Sequence, residues 1–371
     1  MGALILSTVG TSLLSNLRRH LGLGREDWPD IRAAVAAIRS VAPTDRMCGA
    51  EINSISHLVG QKLSVGTVSS PLSLHFLVSD TDEGYWTAEA LTSYYRSSRD
   101  VRSAASERVA GLTGADYERF AGLGLRSLVK ATAARLTLGP ADETGALKVI
   151  NATGGYKAQI SFAGLICQAL GVPVVYLFEQ FPRCIEMPPL PVAFDRGLWI
   201  EHHTLFSRLS DELQVPASEF DAWPIDPALR HLLDREAIDG IEYIALSPIL
   251  ELMHQSFELV PPANLVRPCD AEVRGEDKVR LNEAEMAHAP KGSRQCIERL
   301  ARLPWVTRVS NEEFVNTAAK WRVKTGGDVG MNEVLVQHGD GSHKALEIRL
   351  TTTCTGPEER QWCLEELAKL R

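Results

Sequence analysis

No apolar run in this chain approaches the roughly 20 residues a membrane span requires, and the apolar start, Ala3 to Leu6, lacks the basic n-region and long h-region of a secretory signal. A cytoplasmic protein without a membrane partner is expected. The seven cysteines are an odd number and form no CxxC pair, which argues against a disulfide framework and against a zinc ribbon. No G-x-G-x-x-G follows the first apolar run and no G-x-x-x-x-G-K-[ST] occurs anywhere, so neither the usual dinucleotide fingerprint nor a P-loop is present. Internal repeats and low-complexity segments are absent too. Basic excess is also lacking, since the formal net charge is −8.

That charge is unevenly spread. Residues 267–371 hold 17 Lys+Arg against 17 Asp+Glu, so the acidic excess belongs to the preceding part. Within the neutral part, Lys278 to Arg349 carries 12 basic and 9 acidic residues, a tilt that suits RNA or, equally, a solvated mixed surface.

What is present is an alternation of apolar β runs with helical runs over the first 195 residues. Strands are expected at Ala3 to Leu6, Ser73 to Val78, Ala146 to Ile150 and Val172 to Phe178; helices at Ile31 to Ile38 and Thr87 to Arg96. This pattern predicts an α/β fold, a parallel sheet wrapped by helices, with ligands bound beyond the carboxyl ends of its strands. Three polar loops fall there: Gly10 to Ser12, Ser79 to Thr81 and Asn151 to Lys157. The last follows the apolar run Leu147 to Ile150 and precedes the helical run Ile160 to Leu170. Its glycine pair therefore lies at a strand-to-helix turn, where backbone N–H groups can face an anion.

The prolines of Met187 to Pro191 end a first domain, 1–195. Residues 196–265 read as a helical connecting module, with one helical segment at Ile241 to Phe257, and the break Val260 to Asn264 separates it from a last domain, 266–371. There a short strand at Lys278 to Leu281 and a helix at Ser293 to Leu303 are expected. Three strands follow, Trp321 to Thr325, Asn332 to His338 and His343 to Thr352, then a closing helix, Pro357 to Leu370. Gly339-Asp340-Gly341 is the expected hairpin turn between the last two strands.

Thr8-Val9-Gly10-Thr11-Ser12-Leu13-Leu14, Gly49-Ala50-Glu51-Ile52-Asn53-Ser54 and Asn151-Ala152-Thr153-Gly154-Gly155-Tyr156-Lys157 resemble, in order and context, the CRISPR-associated Rossmann-fold (CARF) sensor domains. The resemblance runs from Met1 to about Glu201. It implies a Rossmann-like fold and a homodimer that binds a cyclic oligoadenylate made by a type III CRISPR complex, cyclic tetra-adenylate foremost, as an allosteric activator. On this resemblance Gly10, Thr11, Ser12, Asn16, Thr153, Gly154, Gly155, Tyr156 and Lys157 meet the ring. Glu51 and Asn53 would orient an adenine or a ribose, because an acid is a poor neighbour for phosphate.

The last hundred residues decide the activity. Arg196 to His202 has the R-x4-6-H spacing of a HEPN ribonuclease but stands at the exit of the first domain. Asn332 to Val336 followed by Glu347-Ile348-Arg349 imitates a PD-(D/E)xK metal-dependent nuclease, with leucine in place of the aspartate and arginine in place of the lysine. Strand, helix and three-stranded meander resemble instead the RelE family of mRNA interferases. This second resemblance is topological and covers Lys278 to Arg371. It implies a small α+β domain and ribosome-dependent, metal-independent cleavage of mRNA by an endoribonuclease, with neither cofactor nor metal.

Strand parity puts Lys320, Arg322, Lys324, His343, Glu347 and Arg349 on one open face, expected to be basic. Of these, Lys320, Arg322, Lys324, Arg349 and His343 are the candidate catalytic residues; Lys291 and Arg294 are candidate RNA or ribosome contacts. Two alternatives stand beside this expectation. One is the metal-dependent nuclease; the other is a CARF-gated DNA-binding transcriptional regulator built on the helices between Leu213 and Phe257.

Overall fold

The computed structural model describes residues 2–137, 145–190, 193–220, 225–259, 266–317, 319–326, 329–341 and 343–370. The described residues divide into two compact units, Met1–Phe194 and Asp195–Arg371. The expected break at Val260 to Asn264 lies outside the described residues, as does Pro191. Residues 196–265, expected as a separate connector, fall within the second unit.

The first unit is mixed α/β. Its strands are β1 (Ala3–Thr8), β2 (Leu72–Val78), β3 (Val101–Arg108), β4 (Leu147–Asn151), β5 (Val174–Tyr176) and β6 (Ile185–Met187), in the order β3-β2-β1-β4-β5-β6. All neighbours are parallel except β5 and β6. Every residue of β1 and β2 is buried, as befits central strands covered on both faces. Helices α1 (Ser12–His20), α2 (Ile31–Arg39), α3 (Gly49–Leu58), α4 (Asp82–Tyr95), α5 (Leu125–Thr137) and α6 (Lys157–Leu170) accompany this sheet.

In α1 the spacing of Leu13, Leu14 and Leu17 buries one stripe, each leucine stabilising the unit by about 1.5–3 kcal/mol. Gly171 ends α6 in the left-handed conformation, φ 65°. Because β2 lies on one side of β1 and β4 on the other, the chain order reverses at β1. The turns leaving β1 and β4 thus border a switch point, the place where open α/β sheets bind ligands.

In the second unit α7 (Arg196–Glu212) is followed by a small antiparallel sheet of β7 (Val215–Pro216), β8 (Leu233–Ile238) and β9 (Ile241–Leu246), then α8 (Pro248–Glu258). The helical expectation for 196–265 is corrected here, because Ile241 to Leu246 is a strand. Asp239 and Gly240, at φ 51° and 80°, form the two-residue hairpin turn between β8 and β9. Ser247 then caps α8 and Pro248 occupies its first turn.

Next come β10 (Val279–Arg280), α9 (Ser293–Ala301), β11 (Val306–Asn316), β12 (Trp321–Lys324), β13 (Glu333–Gly339), β14 (Lys344–Thr352) and α10 (Pro357–Ala368). The sheet order is β10-β11-β14-β13-β12. Strands β12, β13 and β14 form the expected three-stranded meander, and a strand not foreseen from the sequence, β11, pairs antiparallel to β14 at its edge. A register shift between Asn311 and Phe314 accommodates Glu312 and Glu313 in β11, and this bulge breaks the alternation that marks a strand in sequence.

Candidate functional site

At the switch point of the first unit two turns close on each other. The Thr8 hydroxyl donates to the Gly154 carbonyl at 2.6 Å, joining the end of β1 to the loop after β4. A Cβ on Gly10 would lie 2.8 Å from the Gly155 nitrogen, and one on Gly154 would collide with Glu51 Oε1. Gly155 has φ 102°, a conformation that favours glycine, and its other side is filled by Gln159. Gln159 Oε1 in turn accepts the Tyr156 N–H at 2.5 Å. Close approach of two backbones therefore requires Gly10, whereas the side chains of Glu51 and Gln159 and, at Gly155, the positive φ favour the glycine pair.

Two helices begin at this closure. Thr11 precedes α1 without a side-chain cap hydrogen bond, and α6 starts at Lys157 with no acidic residue in its first turn. First-turn N–H groups of both helices are thus left without capping carboxylates, an arrangement that attracts anions. Thr11 and Lys157 are exposed and Gly10 and Ser12 partly so. The Ser12 hydroxyl accepts the Ala50 N–H at 3.1 Å and so ties α1 to α3. The Tyr156 hydroxyl accepts the Gly114 N–H at 3.1 Å, with its ring edge-on to Phe120.

The other candidates of this unit serve the scaffold. Asn16 donates to the Arg46 carbonyl at 2.7 Å, and Asn53 donates to the carbonyls of Pro43 and Asp45 at 2.6 and 2.8 Å. Thr153 donates to Asn151 Oδ1 and accepts the Leu177 N–H. In the third loop Ser79 and Thr81 bond each other at 2.8 Å, and Thr81 caps α4 through the Gly84 N–H.

Glu51 corrects the expectation that it meets a base or sugar, since it is fully buried, beneath the two turns. Its Oε1 accepts the Gly10 N–H at 2.8 Å, while Oε2 is buried without a hydrogen-bond partner. Burial raises its pKa from 4.5 to about 7, against the lowering effect of the Gly10 N–H. Between those values the folded chain holds a proton that the unfolded chain has released. Stability should therefore fall as pH rises from about 4.5 to about 7, by roughly 3 kcal/mol at most, and level off above. Glu51→Gln keeps the acceptor for Gly10 and is expected to remove this slope, melting higher than the parent at pH 8 and alike at pH 4.5. Parallel melting curves at both pH values would place the buried charge elsewhere.

In the second unit the register gathers three of the five candidate catalytic side chains. Arg322, Gln337 and Glu347 form one row across β12, β13 and β14; Lys324, Leu335 and Arg349 form the next row on the same face. The face is not basic as strand parity alone implied. Arg322 is paired with Glu201 of α7 at 3.0 Å, Lys324 with Glu347 at 3.4 Å, and Arg349 with Glu312 at 3.1 Å and Glu333 at 2.8 Å. Gln337 donates to Glu347 at 3.0 Å as well. Three cations thus meet four carboxylates. Hydrogen bonding from the Gly330 N–H, then from Arg349, holds the Glu333 carboxyl below its ordinary pKa.

Lys320 and His343 lie apart from this group. Lys320 lines a cavity of about 600 Å³ together with Arg208, Arg299, Trp321 and His338. His343 is exposed beyond the start of β14, about 20 Å along the strand from Arg349. Lys291 is exposed, and Arg294 pairs with Glu283. Arg196 pairs with Glu365, and buried His202 accepts the Asp226 N–H at 3.1 Å, so these two support packing. The register also separates the two carboxylates of the nuclease-like pattern, Glu333 lying opposite Thr351 and Glu347 opposite Gln337. Among the described residues no group of three His, Cys, Asp or Glu could hold a metal ion.

Residues 46–190, about two fifths of the chain, match the model of a CRISPR-associated protein family, Cas_APE2256. This part of the chain is similar to a CRISPR-associated protein. The matched stretch includes Glu51 and the whole Asn151 to Lys157 turn, and begins after the Gly10 turn that closes on it. No curated protein matches the chain. Among the described residues no helix is long and apolar enough to cross a membrane.

Proposed function

We propose that the first unit is a CARF sensor that binds a cyclic oligoadenylate, cyclic tetra-adenylate foremost, as a homodimer, and that this binding activates an endoribonuclease in the second unit. The observation that carries the sensor half is the closure of the Gly10 turn on the Gly154-Gly155 turn, with α1 and α6 starting there without acidic residues in their first turns and the exposed Lys157 beside it. A ring of phosphates suits such donors. The match to a CRISPR-associated family over 46–190 agrees with that ligand.

For the effector, the support is the trio Arg322, Lys324 and Arg349 on one face of a small α+β sheet. Such cations can stabilise the charge that develops when a 2′-hydroxyl attacks the neighbouring phosphate, with no metal ion taking part. The target is mRNA on the ribosome, as in the RelE family the unit resembles.

The DNA-binding alternative gains a hairpin, β8 to β9, that could serve as a wing. Its charges oppose this, because Asp234, Glu236, Asp239 and Glu242 outnumber Arg235. An acidic wing repels phosphate. A substrate panel tests the proposal: with cyclic tetra-adenylate present, ribosome-bound mRNA should be cut and free RNA and DNA left intact. Metal-dependent cutting of free nucleic acid would favour the PD-(D/E)xK nuclease.

A further inference from the structure

We propose that Glu201 holds the cleavage face at rest by gripping Arg322, and that loosening this grip is how the sensor's signal reaches the face. The inference deepens the ribonuclease reading above and rests on it. Helix α7 presents Gly197, Glu201 and Thr204 toward β12, a stripe at i, i+4 and i+7. The Thr204 hydroxyl donates to the Trp321 carbonyl at 3.1 Å. Glu201 Oε2 accepts from Arg322 Nη2 at 3.0 Å, while Oε1 accepts the Thr325 N–H at 3.2 Å and the Thr325 hydroxyl. Gly197 packs beside Thr325, whose Oγ1 would stand at an ordinary contact distance, 3.5 Å, from a Cβ there.

The pair is enclosed, its side chains 18% and 23% exposed for Arg322 and Glu201. Burial opposes ionisation of Glu201, but the hydrogen bonds from Thr325 and the Arg322 guanidinium outweigh it and hold the carboxyl below its ordinary pKa. The grip is thus charged at neutral pH. Arg322 Nε is buried with no hydrogen-bond partner, so the guanidinium is not saturated by Glu201. Shielded in the closed pair, this donor is offered to a phosphate only when the grip opens.

Two consequences follow from position. With Glu201 in place, carboxylates outnumber cations on this face and RNA phosphates are repelled; without it, they balance. Helix α7 also begins at Arg196, directly after the last residue of the first unit, Phe194, and its cap Asp195. The chain leaving the sensor thus enters the helix that carries Glu201 with no element between.

The test is Glu201→Gln, which keeps the size and the Thr325 contacts but removes the charge. Cleavage of ribosome-bound mRNA without activator should rise about tenfold or more, within the range of ordinary coupling energies. Because release of the face and ring binding are linked, affinity for cyclic tetra-adenylate should rise by a comparable factor, while the activated rate stays within about twofold of the parent. Thr325→Val, which removes one anchor of the carboxylate, should raise the basal rate less but in the same direction, and melting curves of both variants report on folding. With the parent activated normally, an unchanged basal rate in both variants overturns the grip and leaves the ribonuclease standing. Equal loss of basal and activated rates also overturns it, because Glu201 would then only position Arg322. If the parent shows no activator-dependent cleavage, the ribonuclease reading fails, and the grip with it.

Discussion

Lys157→Ala is expected to weaken binding of cyclic tetra-adenylate by about 10²–10⁴-fold. The side chain stands exposed at the first position of α6, beside the paired turns, and has no carboxylate partner among the described residues. A charge-assisted hydrogen bond to phosphate contributes about 1.5–3 kcal/mol, and a symmetric dimer would lose two. Exposure limits the effect on folding to about 0.5 kcal/mol. Calorimetry with the ring, alongside a melting curve, checks both statements. Tight binding by a folded Lys157→Ala protein would move the phosphate contact elsewhere.

Arg349→Ala is expected to lower activator-dependent cleavage by about 10²–10³-fold, the usual effect of removing one donor to a charged transition state. Arg349 lies mid-strand in β14, two strands from Lys324 in the same row, and is oriented by Glu312 and Glu333 on either side. Arg349→Lys should recover only part of the rate, because a lysine keeps the charge but loses the planar fork held by two carboxylates. Ring affinity should not change in either variant. Single-turnover cleavage on ribosomes is the measurement, and an alanine variant within twofold of the parent would remove Arg349 from the mechanism.

The first unit was largely legible because its signals are local. Short β runs such as Ala3 to Leu6 and Leu147 to Ile150, each followed by a glycine turn, announce parallel strands and a switch point together. β3 escaped because Val101 to Arg108 is mostly polar, as an edge strand with an exposed flank can be. In the second unit, Ile241 to Leu246 repeats apolar residues at a spacing that fits a helix, and the Asp239-Gly240 turn was the stronger signal. β11 escaped through its bulge at Glu312 and Glu313.

Of the site, sequence conveyed which residues could share a face but not what neutralises them. Strand parity grouped Arg322, Lys324 and Arg349 correctly. It could not foresee that Glu201 lies against Arg322, because that contact joins residues 121 positions apart. Glu51 is a similar case. An acid between glycine turns suggested a ligand contact, and only burial reveals it as the brace beneath them.

The central claim is that a signal bound at the paired turns releases cleavage at the sheet of the second unit. The direct measurement is the rate of cleavage of ribosome-bound mRNA by the purified protein, titrated with cyclic tetra-adenylate, for the parent and Lys157→Ala. The account predicts a rate that rises and saturates with the ring in the parent and stays at its basal level in the variant. A parent rate that is independent of the ring, or a variant activated as well as the parent, would contradict it.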